Sequence, residues 1–131
     1  MQAHEWEAAV KRFLADYIEA FLSNDGARIA RTYNVPCVTV RADGSIYAFQ
    51  TQDELKSFFQ GLSETYSKAG SRRWHYENLH IEALGAQSAV ATLDWEMRRE
   101  DGSSIRRWRQ TYNLVLMDER LRILASTFHL A

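Results

Sequence analysis

The residue order predicts an α+β fold, with helices first and an antiparallel sheet after them. Three observations carry that prediction. An apolar period near 3.6 is confined to the first seventy residues, a period of two takes over from Arg72, and turn dipeptides cut the second half into strands of similar length. Helices segregated from an antiparallel sheet define the class.

The opening helix is the clearest element. Trp6, Val10, Phe13, Leu14, Tyr17, Ile18, Phe21 and Leu22 recur at three- and four-residue steps and form one apolar stripe. Ser23-Asn24-Asp25-Gly26 ends it and offers an N-cap to a short second helix running to about Tyr33. Asn34 and Pro36 break the helical pattern, and a strand follows over roughly Val35 to Val40. Asp43-Gly44-Ser45 turns the chain into a short strand from Ile46 to Phe49. Thr51-Gln52-Asp53-Glu54 reads as a capping box. It opens a third helix with the stripe Leu55, Phe58, Phe59, Leu62 and Tyr66, and Gly70 stops that helix.

Four long strands fill the remainder, divided at Gly85-Ala86, Asp101-Gly102 and Asp118-Glu119. Two-residue turns there set a register. Trp95 is expected opposite Trp108, Asp94 opposite Arg109, Glu96 opposite Arg107, Tyr76 beside Trp95 and Glu77 beside Asp94. In the last hairpin Leu114 faces Ile123, Tyr112 faces Ala125 and Thr111 faces Ser126. One face of the sheet is then aromatic, with Trp74, Tyr76, Trp95, Trp108 and Tyr112. The other is mixed: it carries His75, Glu77, Leu79, Ile81, Asp94, Glu96, Arg107, Arg109, Thr111, Asn113, Leu124, Ser126 and Phe128.

Composition bounds the function. The 131 residues are 46% hydrophobic and 25% charged with one Pro, as in an ordinary globular chain, and one domain over 1–131 is expected. Sixteen Lys+Arg against seventeen Asp+Glu leave a net charge of −1, which gives no overall field for nucleic acid or an anionic membrane. The arginines Arg98, Arg99, Arg106, Arg107 and Arg109 are interleaved with Glu96, Glu100 and Asp101, so that hairpin reads as a solvated end. No apolar run is long enough to cross a bilayer, and Met1-Gln2-Ala3-His4-Glu5 has no secretory pattern, so a cytoplasmic location is expected. The single Cys37 and the scattered His4, His75, His80 and His129 lead us to expect no metal and no cofactor.

The order of elements resembles the nuclear-transport-factor-2-like superfamily, to which polyketide-cyclase-like and ketosteroid-isomerase-like proteins belong. Its fold is a curved antiparallel sheet that forms a cone around a long N-terminal helix, with three helices and about six strands. The resemblance rests on Val10 to Ala30, on Tyr33-Asn34-Val35-Pro36, on Asn78-Leu79-His80-Ile81 through Ala89-Val90, and on Thr111-Tyr112-Asn113-Leu114 with Leu121-Arg122-Ile123. It implies that Tyr17 matches the isomerases' helix-1 tyrosine. The isomerases' catalytic aspartate falls at or near Arg41, however, and their second oxyanion donor near Thr111, so the resemblance does not extend to that mechanism. It also implies that the last strand turns Leu124, Ser126 and Phe128 toward the pocket. That puts the mixed face inside the cone and the aromatic face outside, where it would serve a homodimer. Burial alone would turn the aromatic face toward the helices.

With the mixed face inside, the expected ligand-binding set is Tyr17, Tyr33, Asp94, Arg109, Thr111, Asn113, Ser126 and Phe128, around a small hydrophobic or mixed-polarity ligand. Asp94 would be the base of an acid–base enzyme, with Arg109 or Tyr17 stabilising an oxyanion. The same Asp94–Arg109 and Glu96–Arg107 pairs also read as ladder pairs on a solvated face, and Tyr17 as a packed core residue. An isomerase, cyclase or dehydratase, a non-catalytic carrier, and an interaction domain using its aromatic face all remain open.

Overall fold

The computed structural model describes residues 1–130. A 3₁₀ turn (Ala3–Glu5) leads into α1 (Trp6–Leu22), followed by α2 (Gly26–Ala30), β1 (Tyr33–Val40), β2 (Ile46–Phe49), α3 (Gln52–Lys68), β3 (Arg73–Leu84), β4 (Ser88–Arg98), β5 (Ser104–Met117) and β6 (Arg120–Phe128). The six strands form one sheet in the order β2-β1-β6-β5-β4-β3. Neighbours run antiparallel except β1 and β6, which are parallel. The expected α+β architecture is present, with α2 ending three residues earlier than its pattern suggests and β1 starting at Tyr33.

Local chemistry explains the helix starts. The Asp25 carboxylate accepts from the Ala27 and Arg28 amides and so caps α2. Thr51 Oγ1 accepts from the Glu54 amide at 3.1 Å, while the Glu54 carboxylate takes the Thr51 hydroxyl and the Gln50 amide in place of the Thr51 amide. Gly26 is needed for a close approach: a Cβ there would sit 2.6 Å from Lys56 O and 2.7 Å from Gln60 Cβ. Its amide donates to Gln60 Oε1 at 2.7 Å, which fastens α2 to α3.

The expected registers across β3, β4 and β5 are present: Tyr76 with Trp95, Glu77 with Asp94, Asp94 with Arg109, Trp95 with Trp108 and Glu96 with Arg107. The turns that produce them are not the expected ones. The β3–β4 loop is one residue longer, since Leu84 pairs with Ser88, and a bulge at Asn78 (φ 55°) restores the count. The β4–β5 loop is also one residue longer, with Arg98 opposite Ser104, and the extra residue Ile105 restores it. Because of the Asn78 bulge, Leu79 and Ile81 pack into the core and leave the mixed face.

The last hairpin departs in the other direction. Its turn is as expected, with Met117 opposite Arg120 and Leu114 opposite Ile123, but Leu124 is an extra residue. Beyond it Asn113 faces Ala125, Tyr112 faces Ser126 and Thr111 faces Thr127. The bulge moves Ser126 and Phe128 onto the aromatic face and leaves Leu124 outside, 37% exposed. The expectation that Ser126 and Phe128 point into the cone and the expectation that the aromatic face lies outside are therefore incompatible, and the second fails. Trp95 is 1% exposed and Tyr112 2%, and Trp74, Tyr76 and Trp108 pack against the same core. A dimer built on those five side chains would have to take them out of the core.

The aromatic face packs on α1 through Tyr17. The Tyr17 ring lies 5.8 Å from Tyr112, 6.2 Å from Trp95, 6.2 Å from Tyr33 and 5.1 Å from Phe21. Rings at such separations contribute roughly 0.5–1.5 kcal/mol per pair beyond their buried area. Cys37 is buried, and burial pushes its thiol up to about 11, as suits a structural cysteine. The buried Trp6 Nε1 has no hydrogen-bond partner among the described residues.

Candidate functional site

The interior of the cone holds polar groups that satisfy one another. Tyr17 and Tyr33 share a hydrogen bond between their hydroxyls at 2.8 Å, and Trp95 Nε1 donates to Tyr112 Oη at 2.9 Å. Thr39 and Ser126 share another at 2.8 Å on neighbouring strands β1 and β6. Burial pushes the Tyr17 hydroxyl up to about 12 and holds those of Tyr33 and Tyr112 well above the ordinary tyrosine range. These hydroxyls stay protonated near neutral pH, so each keeps a proton to donate while Tyr112 also accepts from Trp95.

The mouth is cationic and aromatic. Arg41 extends from the end of β1 on the inner face, two residues beyond Thr39, whose Oγ1 its Nη1 reaches at 3.5 Å. Its guanidinium lies over Phe128 at 4.7 Å and over Phe58 at 5.3 Å. Arg106, from the start of β5, lies over Trp108 at 5.2 Å and over the same Phe128 at 5.5 Å. Neither arginine is in an ion pair among the described residues. Gln110 is buried beside them and accepts from Trp108 Nε1 at 2.9 Å. Burial also raises Tyr66 at this mouth, although the positive charge of Arg41 opposes that rise. The space that Tyr17, Arg41, Tyr66, Gln110 and Phe128 enclose with their aromatic neighbours has a volume of about 10 Å³, room for roughly one water molecule.

The eight residues expected to bind ligand separate into two groups on opposite sides of the sheet. Tyr17, Tyr33, Ser126 and Phe128 are inside. Asp94, Arg109, Thr111 and Asn113 are outside, because the aromatic face is the inner one. Asp94 accepts from Asn78 Nδ2 at 2.7 Å and from Arg109 Nη1 at 2.8 Å, with the two side chains of that ion pair 40% and 39% exposed. The Asn78 hydrogen bond and then Arg109 hold its carboxyl below the usual range. Thr111 bonds Thr92 at 2.8 Å and His129 at 2.6 Å, and Asn113 donates to Ser88 Oγ at 2.9 Å. Nearby, Glu96 accepts from both Arg98 and Arg107, and those bonds hold its carboxyl low as well. The solvated-ladder reading describes the Asp94–Arg109 pair, whereas Glu96, 7% exposed, is a buried carboxylate held by two arginines.

Sequence reasoning passed over Tyr66, Trp74, Arg106, Trp108, Gln110 and Tyr112 as site residues and noted Arg41 only as a departure from the isomerases. Gln110 and Tyr112, which flank Thr111, hold the inward positions on β5.

The family model described as NTF2-like protein (DUF6841) matches residues 5–131. The chain belongs to this family. Solved structures with the same fold include an NTF2-like protein of unknown function from Shewanella oneidensis. It is 16% identical with a TM-score of 0.71, over 93% of this chain and 97% of that one. A Nostoc punctiforme protein of unknown function with a cystatin-like fold is 14% identical with a TM-score of 0.78, over 98% and 92%. A Catenulispora acidiphila structure is 18% identical with a TM-score of 0.76, over 96% and 91%. No curated protein matches the chain. At these identities the structures establish the NTF2-like, cystatin-like fold, and the chemistry of this NTF2-like chain has to come from its own residues. Among the described residues no helix is long and apolar enough to cross a membrane, and no three His, Cys, Asp or Glu side chains converge as metal ligands.

Proposed function

We propose that this NTF2-like protein binds a small aromatic anion at the mouth of its cone, as a carrier and not as an acid–base enzyme. One observation carries the reading: two guanidiniums, Arg41 and Arg106, converge on the ring of Phe128 with no carboxylate in the lining. Two like charges held together beside low-dielectric walls favour an anion between them. The rings of Phe58, Phe128 and Trp108 suit a flat apolar body, and the protonated tyrosine hydroxyls and Gln110 suit its oxygen atoms.

With about 10 Å³ free, the cone is closed, and Arg41, which lines that space, has to move for such a ligand to enter. Its tethers are weak. Each cation–π contact is worth about 0.5–2 kcal/mol, and its 3.5 Å contact to Thr39 is at the limit of a hydrogen bond. An arginine held this way swings aside at low cost and returns to pair with the anion.

The lining also argues against proton transfer. It contains no carboxylate and no imidazole, and its tyrosines keep their protons. Asp94, the one base expected from the sequence, is on the far side of the sheet and is made a weaker base by its partners.

The test uses 2-naphthoate and naphthalene, followed by quenching of tryptophan fluorescence. Wild type should bind naphthoate more tightly than naphthalene, and Arg41→Ala and Arg106→Ala should each weaken naphthoate at least tenfold while changing naphthalene little. Equal binding of the two probes, or naphthoate binding indifferent to both substitutions, would overturn the reading.

A further inference from the structure

Outside the cone, α1, the end of α2 and the β5–β6 hairpin enclose a half-open cleft of about 470 Å³. That is within the range of small-molecule sites, roughly 300–1,000 Å³. Its apolar side is formed by Ala9, Phe13, Ala20, Leu116 and Leu121, of which the two alanines are buried. Small side chains at Ala9 and Ala20 leave the hollow along the helix, and Phe13 closes its inner end by stacking on Tyr17 at 6.0 Å.

Four arginines line the other side: Arg12 from α1, Arg28 from α2, Arg31 just beyond α2, and Arg120 from the start of β6. Only Asp16 and Glu119 oppose them within the cleft. Arg28 is engaged with Glu19, which lies outside the lining, at 3.2 Å. Arg12, Arg31 and Arg120 are in no ion pair among the described residues, although Asp16 is one helical turn from Arg12. Three unpaired guanidiniums from separate elements thus face one hollow with an apolar wall, in a chain whose overall charge is −1.

We propose that this cleft is a second ligand site, taking a phosphomonoester with an apolar body. The planar guanidinium matches phosphate oxygens two at a time, and several arginines around one group suit a dianion better than a monoanion. The wall of Phe13, Leu116 and Leu121 holds the apolar part, so a bare phosphate ion gains only the charged half of the site. A soluble ester and the headgroup of a phosphatidic-acid-like lipid both carry such a phosphate, and the two sources separate experimentally.

Binding of 1-naphthyl phosphate, inorganic phosphate and 2-naphthol to the full chain would be measured by calorimetry. Pelleting would be measured with vesicles of phosphatidylcholine with and without phosphatidic acid. The ester, or the phosphatidic acid vesicles, should bind at least tenfold more tightly than phosphate or naphthol. The double variant Arg31→Glu/Arg120→Glu should lose at least tenfold, and Glu119→Gln should gain about two- to fivefold. Ester binding without vesicle binding assigns the soluble source, and the reverse assigns the lipid. Unaltered circular dichroism in the variants keeps the comparison clear of misfolding. The proposal is overturned if neither source binds, if inorganic phosphate or naphthol binds as well as the ester, or if either charge change leaves affinity unmoved. The cone reading stands or falls separately, on Arg41 and Arg106.

Discussion

Tyr112 stands opposite Ser126, and Asn113 opposite Ala125, because Leu124 is an unpaired extra residue in β6. That one residue puts Ser126 within 2.8 Å of Thr39 and sets Phe128 beneath the guanidiniums of Arg41 and Arg106. Were Leu124 paired in an unbroken ladder, the end of β6 would present Ala125 and Thr127 to the cone, and the mouth would lose its central ring.

Leu124 is therefore the residue left out of the ladder, and its side chain matters little. Leu124→Ala should change stability by less than about 1 kcal/mol, since the side chain is 37% exposed. Deleting Leu124 together with Ala125 should cost about 3 kcal/mol or more, because Ser126 then follows Ile123 directly and turns outward with Phe128. Urea unfolding of both variants checks this. A deletion as mild as the alanine variant would mean that the end of β6 re-registers freely against β5.

The buried tyrosines predict alkaline instability. A hydroxyl whose folded pKa lies above its unfolded one keeps its proton in the fold and loses it in the unfolded chain. Its contribution is complete below the unfolded value, near 10, and is lost as pH rises through the folded value. For Tyr17, raised to about 12, the loss is of order 2–3 kcal/mol between pH 10 and 12. Tyr33 and Tyr112, also raised by burial, steepen the fall. Stability measured by urea at pH 8 and pH 10.5 should decline, and Tyr17→Phe should make the decline shallower. A flat profile would contradict a closed, dry tyrosine cluster.

The helices, the strand order of the second half and the central registers were legible in the sequence, because periodicity and turn residues are local signals. Tyr76 opposite Trp95 and Trp95 opposite Trp108 came out correctly although both turn lengths were wrong: each longer loop is cancelled by a bulge, at Asn78 or at Ile105. Asn78 carried a readable signal, since Asn adopts positive φ more readily than most residues, whereas Leu124 carried none. The site was lost at that step. Phase carried unbroken through β6 forces Ser126 and Asp94 onto one face, and the implied inward aim of Ser126 and Phe128 then drew Asp94, Arg109, Thr111 and Asn113 in with them. The cost of exposing five large aromatics pointed the right way and was outvoted.

The α2–α3 contact predicts a sharp penalty at Gly26. The nearest neighbours of an added Cβ are Lys56 O, Gln60 Cβ and Gln60 N, at 2.6, 2.7 and 2.9 Å, so no flexible side-chain end can move aside. The helices must part, and Gln60 loses its hold on the Gly26 amide. Gly26→Ala should therefore destabilise by about 1–3 kcal/mol, even though alanine is the better helix former. Thermal unfolding at or above the wild-type midpoint would show that α2 is not held against α3 in solution.

The β5–β6 turn predicts a gain. Asp118 and Glu119 both have positive φ, 50° and 63°, as a two-residue type I′ hairpin requires. A non-glycine residue there costs about 1–2 kcal/mol, while glycine adopts the same angles freely and gives back part of that advantage through its more disordered unfolded chain. The Glu119 side chain is exposed and in no ion pair among the described residues, so its removal sacrifices no structural contact. Glu119→Gly should raise stability by about 0.5–1 kcal/mol, and the melting midpoint by about 2–5 °C. A lower midpoint would mean that the turn in solution does not hold Glu119 in the left-handed region, and Met117 would then lose its pairing with Arg120.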